Sequence, residues 1–188
     1  MKPTIHIIDD DEQVRESLGL LLETVGHDVL TYVSGDAHVD AAPDLTHAVL
    51  ILDVRMPGRD GLETLLHVRN RSKNVPVIMI SGHGDVPLAV KAMQAGANDF
   101  VEKPFVANRI LSAIDRLGEP VDMAPDALAA LTPRELEVAK ALADGKPNKV
   151  VAHELGVSVR TVETHRARVM SKLGIRSLAE LVRLILLP

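Results

Sequence analysis

The sequence predicts a doubly wound α/β domain with a five-stranded parallel sheet, followed by a smaller all-α domain of four helices. Three observations support this prediction. Short apolar runs alternate with helical patterns over residues 4–117, which is typical of strand–helix–strand units. The rest of the chain shows helical patterns alone. The net charge also changes, from −7 over residues 1–119 to +2 over residues 120–188, which indicates two domains with different partners.

Five apolar runs of strand length lie in the first part. They cover Thr4–Ile8, Asp28–Val33, Ala48–Leu52, Pro76–Ile80 and Phe100–Val101. The run at Ala48–Leu52 is continuously apolar, as expected for a strand that is buried on both faces of a parallel sheet.

Apolar residues at helical spacing separate most of these runs. The first set extends from Val14 to Val25 and stops at Gly26, and further patterns cover residues 62–69, 86–95 and 106–117. We expect five helices to alternate with the five strands, four of them located by these patterns. Joined by right-handed crossovers, these elements form a sheet that is covered on both faces.

Polar side chains stand where four of the predicted strands end. Asp9 and Asp10 follow the first strand and Asp53 the third, whereas Ser81 and Lys103 follow the fourth and fifth. Ligands of such sheets bind beyond the carboxyl ends of the strands, so these residues converge on one edge. Taken singly, each could be a helix cap or part of an ordinary turn. Together, the acids, hydroxyl and lysine predict a site for a hard cation and an anionic ligand.

Phosphoryl transfer is the chemistry that this group of residues favours. An ionised Asp53 can attack phosphorus without a general base. Mg²⁺ takes oxygen ligands, which Asp10, Asp53 and the backbone carbonyl of Arg55 can supply. Lys103 can pair with a phosphoryl oxygen and the Ser81 hydroxyl can donate to another, so that positioning and electrostatics suffice for the reaction.

The composition excludes several other functions. Aromatic residues make up only 2% of the chain, which argues against base-stacking platforms and aromatic cages. The sequence has no cysteine, which excludes disulfides and thiolate metal sites. We expect neither a signal peptide nor a membrane span, because acidic residues appear by Asp9 and no stretch approaches about 20 apolar residues.

The second part begins after a proline-containing linker. We expect a first domain over residues 1–118, a linker over residues 119–130 and a second domain over residues 131–188. Thr132, Pro133 and Glu135 predict a capped helix start, and glycines at 145, 156 and 174 predict helix ends. The expected helices cover residues 132–144, 148–155, 159–173 and 177–187.

The second part also has the spacing of a helix-turn-helix. Ala152 allows two helices to approach, Gly156 permits the tight turn and Val162 fills the core. An ordinary helical hairpin fits the same spacing. Residues 145–176 carry seven Lys and Arg against two Glu, which favours binding of the second helix in the DNA major groove.

Four segments of the first part resemble the receiver domain of two-component response regulators. They are residues 7–10, 52–58, 81–85 and 99–105. The resemblance covers residues 1–118 and is strongest to the FixJ branch, through Asp53-Val-Arg-Met-Pro-Gly and Gly-His-Gly-Asp-Val-Pro.

This resemblance implies the strand order 2-1-3-4-5 and a role for each residue of the pocket. Asp53 would be the phosphoacceptor and Asp10 the principal acidic ligand of Mg²⁺, with assistance from Asp9. The implied switch and phosphoryl-binding residues are Ser81, Phe100 and Lys103. Ser81 stands where threonine is frequent, and Phe100 lacks the hydroxyl of tyrosine.

Residues 132–187 resemble a LuxR/GerE-type DNA-binding domain through the strings at 131–138, 145–149 and 152–166. By this resemblance Val159–Leu173 is the recognition helix and Ser177–Leu187 carries dimer contacts. The implied DNA-binding residues are Lys149, Arg160, Thr161, Glu163, Thr164, His165, Arg166, Arg168 and Lys172. The implied dimer contacts are Leu178, Leu181, Val182 and Ile185.

We therefore expect a cytoplasmic, DNA-binding response regulator of the NarL/FixJ type rather than an enzyme. A sensor histidine kinase would phosphorylate Asp53 with Mg²⁺, and the phosphorylated homodimer would bind double-stranded DNA and act on RNA polymerase. A phosphorylation-independent regulator with a degenerate receiver is the alternative, which the intact set of pocket residues disfavours. An aspartyl-phosphate hydrolase would need a second Asp at position 55, where the sequence has Arg.

Overall fold

The computed structural model describes residues 2–82, 86–117 and 127–186. These residues form two compact units, one built around a β-sheet and the other built from helices. Most of the predicted linker lies outside the described residues. Among the described helices, none combines the length and the apolar composition that crossing a membrane requires.

The sheet is parallel and has five strands in the order β2-β1-β3-β4-β5, as predicted. The strands are β1 (Thr4–Ile8), β2 (Val29–Tyr32), β3 (Ala48–Asp53), β4 (Val77–Ser81) and β5 (Asp99–Glu102). The third and fourth strands are each one residue longer at their carboxyl ends than the apolar runs suggested. Asp53 and Ser81 are therefore the final residues of hydrogen-bonded strands, which holds their backbones in place.

Five helices alternate with these strands. They are α1 (Glu12–Thr24), α2 (Gly35–Ala41), α3 (Gly61–Arg71), α4 (Val86–Gln94) and α5 (Ala107–Asp115). The sequence pattern does not locate α2, because this helix has only seven residues and begins with glycine. The side chain of Ser34 caps its first turn.

The core of the first unit is aliphatic. Every residue of β3 and β4 is buried, as expected for central strands of a parallel sheet. On one face of the sheet, apolar strand residues pack against Leu18 and Leu22 of α1 and Ile110 of α5. This two-sided burial fixes the register of the strands and hence the position of their carboxyl ends.

The second unit includes residues 86–93 of α4, and its C-terminal part consists of four helices after a short 3-10 helix at Ala127–Ala130. They are α6 (Pro133–Ala143), α7 (Asn148–Leu155), α8 (Val159–Leu173) and α9 (Leu178–Leu186). The predicted capping box forms between Thr132 and Glu135. Gly156 and Gly174 end α7 and α8 with φ angles of 65° and 66°, a left-handed conformation that glycine adopts without strain.

The helix-turn-helix residues lie where the spacing predicted them. Ala152 and Val162 are buried between helices, with Val162 fully inaccessible. Gly156 forms the turn between α7 and α8, and a Cβ at this position would have no neighbour within 4 Å. The left-handed backbone, rather than crowding, therefore favours glycine at this turn.

Candidate phosphoacceptor and DNA-binding sites

Three charged residues meet at the carboxyl edge of the sheet. The Lys103 Nζ lies 2.6 Å from Asp53 Oδ1 and 2.8 Å from Asp9 Oδ2. Both carboxylates are almost completely buried, whereas the lysine side chain is about one quarter exposed. Residues that are 94 positions apart in the chain thus form one site, as the strand-end argument predicted.

The protonation of Asp53 reflects opposing effects. Burial raises its pKa, while the hydrogen bond and charge of Lys103 lower it, and the net pKa is raised. The backbone N–H of Arg55 also donates to Asp53 Oδ2 over 2.6 Å. Burial disfavours the Lys103 ammonium, yet its hydrogen bonds to Asp53 and Asp9 raise its pKa overall. Lys103 is therefore a fixed positive charge beside the candidate nucleophile.

Backbone and side-chain hydrogen bonds hold Asp9 in place. The N–H of Asp11 donates to Asp9 Oδ1 over 2.9 Å, and the Arg15 guanidinium donates to the Asp9 carbonyl oxygen over 2.8 Å. In contrast, Asp10 is exposed. The two adjacent acids therefore differ in kind, since Asp9 is an internal partner of Lys103 and Asp10 faces solvent.

The residues of this site fit a hard cation. Asp9 and Asp53 share one lysine, so the group keeps a net negative charge. Apart from the Lys103 nitrogen, the side-chain atoms that could bind a metal are oxygens. Within the described ranges, no three Asp, Glu, His or Cys side chains gather as a metal site. A backbone carbonyl and water would have to complete the coordination, which is the usual arrangement for Mg²⁺ in proteins.

The remaining pocket residues are also at the sheet edge. Ser81 is buried at the end of β4, and its carbonyl accepts a hydrogen bond from the Lys103 N–H over 2.6 Å. The Lys103–Pro104 peptide bond is cis. Phe100 lies on β5 opposite Met79 and is buried. Positions 83–85 of the motif that follows Ser81 lie outside the described residues.

The polar face of α8 carries most of the predicted DNA-binding residues. Arg160, Glu163, Thr164 and Arg168 are exposed, and Thr161, His165 and Arg166 are partly exposed. Lys149, near the start of α7, is exposed as well. The opposite face of α8 holds Val162 and Val169 in the core. The helix therefore presents a basic and hydroxyl-bearing surface to solvent.

Lys172 differs from the other predicted DNA-binding residues. Its ammonium lies 2.6 Å from Oε2 of Glu135 on α6, and the Glu135 side chain is buried. The hydrogen bond from Lys172, together with that from the Thr132 backbone, lowers the pKa of Glu135 to about 2. This ion pair joins the first turn of α6 to the end of α8.

Three of the four residues expected to mediate dimerisation are part of the core. Leu178, Leu181 and Val182 are 3%, 0% and 0% exposed, so the expectation that they contact a second copy is wrong. Their apolar spacing on α9 faces the other helices of the same unit. Ile185 remains partly exposed.

Three pairs of interacting residues have no signal in the sequence that links their members. They are Asp36 with Arg59, His6 with His38, and Glu135 with Lys172. The members of each pair are at least 23 positions apart. The capping-box position of Glu135 was a local signal, but no local pattern pointed to its partner.

This fold and pocket define a receiver domain, and the helical unit defines a helix-turn-helix DNA-binding domain. Residues 5–115 match the response regulator receiver domain family, and residues 129–185 match the luxR family of bacterial regulatory proteins. The chain therefore belongs to the DNA-binding response regulators with a LuxR-family output domain. As a transcriptional regulator of this class, it is not an enzyme.

Named relatives support this assignment over nearly the whole chain. The chain is 46% identical to the transcriptional regulatory protein FixJ of Rhizobium meliloti, over 97% of this chain and 95% of that protein. It is 43% identical to the C4-dicarboxylate transport transcriptional regulatory protein DctR of Rhodobacter capsulatus, over 98% and 100%. The structure of full-length FixJ from B. japonicum superposes with a TM-score of 0.57 at 43% identity, covering 98% and 96% of the two chains.

Proposed function

We propose that a histidine kinase transfers a phosphoryl group to Asp53, and that this modification controls dimerisation and sequence-specific DNA binding. The observation that carries the proposal is the position of Lys103, whose ammonium is within 2.8 Å of both buried carboxylates. A fixed cation at this place neutralises charge as phosphoryl oxygens approach. The family membership of both domains supports a kinase and DNA as the two partners.

In the proposed reaction, a carboxylate oxygen of Asp53 forms a bond to phosphorus as the bond from phosphorus to the kinase histidine nitrogen breaks. Lys103 pairs with one phosphoryl oxygen and the Ser81 hydroxyl donates to another. Asp10, Asp53 and the Arg55 carbonyl would hold Mg²⁺, with Asp9 assisting. When bound, Mg²⁺ supplies neutralisation of the developing negative charge.

The proposed switch connects the pocket to the DNA-binding domain. On phosphorylation, Ser81, Phe100 and Lys103 rearrange and alter the face formed by α4 and β5, which then dimerises. Two helix-turn-helix units then bind paired half-sites, because a symmetric dimer matches a palindromic site. Among the α9 residues expected to mediate dimerisation, Ile185 is partly exposed, and it is the one that we propose as a dimer contact.

In the DNA complex, α8 would enter the major groove. The exposed basic residues Lys149, Arg160 and Arg168 contact phosphates or bases, assisted by Thr161, Glu163, Thr164, His165 and Arg166. We also propose that the receiver covers residues 1–118, the linker residues 119–130 and the DNA-binding domain residues 131–188, and that the protein acts in the cytoplasm on RNA polymerase.

A small phosphodonor tests the receiver chemistry directly. The full chain is incubated with acetyl phosphate and Mg²⁺, and the intact mass is measured. The wild type is expected to gain one phosphoryl group, Asp53→Ala none, and the control Asp40→Ala the same as the wild type. Loss of the mass gain in the wild type, or its persistence in Asp53→Ala, would contradict the proposal.

Measurements of DNA binding distinguish the proposed function from that of a phosphorylation-independent regulator. Fragments selected from the bacterial genome by the phosphorylated protein are used as probes in gel-shift titrations. Phosphorylation is expected to tighten binding in the wild type and to leave Asp53→Ala unchanged. Equal affinity of phosphorylated and unphosphorylated wild type would favour the regulator with a degenerate receiver.

A further inference from the structure

The loop after the candidate phosphoacceptor is held by a residue on another helix. Asp36 on α2 accepts two hydrogen bonds from Arg59, one from the backbone N–H over 3.2 Å and one from Nε over 3.1 Å. Arg59 lies in the segment between Asp53, which ends β3, and Gly61, which begins α3. This contact therefore joins α2 to the segment that contains the Arg55 carbonyl.

Close packing at the start of α2 shows that the contact is built into the fold. A Cβ on Gly35 would lie 2.1 Å from Thr64 Oγ1 and 2.8 Å from the Arg59 carbonyl oxygen. A Cβ on Gly58 would lie 2.7 Å from Asp36 Oδ2. At Gly35 the Arg59 backbone leaves no room for a larger side chain unless α2 or the loop shifts, whereas at Gly58 the Asp36 carboxylate would have to turn away.

Other hydrogen bonds fix the two ends of this segment. At its start, the Val54 N–H donates to the Ile80 carbonyl over 2.9 Å, and the Arg55 N–H donates to Asp53 Oδ2 over 2.6 Å. At its end, the Gly61 N–H donates to the Val54 carbonyl over 3.0 Å. Between these anchors, Asp36 is the acidic side chain that holds Arg59.

We propose that Asp36 is a positioning residue for the magnesium site, acting through Arg59 on the backbone that presents the Arg55 carbonyl. This inference depends on the proposed function, because the Arg55 carbonyl is a proposed ligand. An oxygen ligand on a loop binds a metal more tightly when the loop is already ordered in the binding conformation. Asp36 should therefore influence affinity for Mg²⁺, while the phosphoryl-transfer groups Asp53 and Lys103 stay unchanged.

The main test measures Mg²⁺ binding directly. Isothermal titration calorimetry of the full, unphosphorylated chain compares the wild type with Asp36→Ala. The dissociation constant for Mg²⁺ is expected to rise about threefold to tenfold, somewhat less than the loss typical when a residue bonded directly to a metal ligand is removed. Asp40→Ala is the matched control, since Asp40 is an exposed acid on the same helix, and its dissociation constant should equal that of the wild type.

A kinetic measurement separates positioning from a general loss of structure. The rate of phosphorylation by acetyl phosphate is measured against Mg²⁺ concentration. In Asp36→Ala the half-saturating Mg²⁺ concentration should rise by the same factor, and the rate at saturating Mg²⁺ should remain within about twofold of the wild type. A lower plateau with unchanged Mg²⁺ dependence would overturn the proposal.

Three further variants keep the test decisive. Arg59→Ala retains the backbone N–H bond to Asp36 and should show a smaller effect, and Asp36→Ala combined with Arg59→Ala should match Asp36→Ala alone. Asp36→Asn retains one oxygen acceptor and replaces Asp36→Ala if that variant does not fold; it should still weaken Mg²⁺ binding. If the wild type is phosphorylated but the Asp36 variants bind Mg²⁺ as tightly as the wild type, the role of Asp36 is overturned and the proposed function is not. A wild type that takes up no phosphoryl group overturns the proposed function as well.

Discussion

The Lys103 ammonium nitrogen lies 2.6 Å from a carboxylate oxygen of Asp53, at the end of the central strand β3. The same nitrogen is 2.8 Å from Asp9. One cation thus serves two buried acids that would otherwise repel each other. This relationship connects the stability of the first unit to the chemistry of its pocket.

Substitution of Lys103 should destabilise the protein in a pH-dependent way. In Lys103→Met, Asp9 and Asp53 lose their cation, and the raised pKa of Asp53 should rise further. The folded protein then holds a proton that the unfolded chain releases, so stability relative to the wild type falls as pH rises from about 4 toward 7. The loss at pH 7 should be about 1–3 kcal/mol.

Urea unfolding in the presence of a chelator measures this loss. Tyr32 is the sole tyrosine and the sequence has no tryptophan, so intrinsic fluorescence reports on the first unit. Lys73→Met, at an exposed lysine, should unfold like the wild type. An equal loss at pH 5 and pH 7 in Lys103→Met would argue against the charge-pair explanation.

Two glycines of the first unit should respond in opposite ways to alanine. Gly19 is inside α1, where a Cβ would meet nothing within 4 Å, so Gly19→Ala should stabilise by about 0.5–1 kcal/mol. Gly26 has equal space but a φ of 87°, so Gly26→Ala should destabilise by about 1 kcal/mol. The urea midpoints of the two variants, followed by Tyr32 fluorescence, measure this difference. Stabilisation by both substitutions would show that the space around the Cβ, and not the backbone φ angle, determines the effect.

Lys172 and Arg168 should have different roles although both are exposed bases on α8. Lys172→Met breaks the ion pair with buried Glu135 and should lower the melting temperature of the helical unit by about 5 °C. Arg168→Met should leave that temperature unchanged. In binding to a labelled non-specific duplex, Arg168→Met should reduce the slope of log affinity against log salt by about 1, and Lys172→Met should not.

The Glu135–Lys172 pair also has a defined acid limit. Because the pKa of Glu135 is lowered to about 2 from 4.5, the stabilisation of the folded protein by this ion pair is present above pH 4.5 and decreases as pH falls toward 2. The melting-temperature difference between the wild type and Lys172→Met should therefore be similar at pH 7 and pH 5. A difference that disappears at pH 5 would contradict the assignment.

Local patterns explain most of what the sequence predicted about the fold. The continuous apolar run before Asp53 and the Thr132–Glu135 capping box are both read from neighbouring residues, and both occur in the structure. Convergence of Asp9, Asp53 and Lys103 was predictable because the topology of a parallel sheet brings strand ends to one edge.

Features that depend on tertiary packing were not predictable in this way. The helix α2 has seven residues and begins at Gly35, so it has too few turns to show a helical period. The apolar spacing of Leu178, Leu181 and Val182 predicts a buried face but does not say whether the same chain or a second copy buries it. Burial within the unit answers that question for these three residues.

A buried histidine pair in the first unit provides a further prediction, about acid stability. His6 on β1 and His38 on α2 are each 1% exposed, with His6 Nδ1 3.4 Å from His38 Nε2. Tyr32 on β2 packs edge-on against His38, with ring centroids 4.8 Å apart. Burial lowers the pKa of both histidines, although Asp44 raises that of His6. For His38 the charges of His6, Arg71 and His67 lower the pKa further, to about 4.

Replacement of His38 should make the first unit less sensitive to acid. Between pH 6.5 and 4 the unfolded chain binds a proton at His38 that the folded protein does not bind, so stability falls as pH decreases. The loss attributable to His38 reaches about 3 kcal/mol at pH 4. His38→Phe fills similar space without a titratable group, so its urea midpoint should fall less between pH 7 and pH 5 than that of the wild type. Replacing the exposed His153 should leave the pH dependence of the Tyr32 signal unchanged. The same pH dependence in His38→Phe and the wild type would refute the assignment, because His38 is the imidazole that this variant removes from the core.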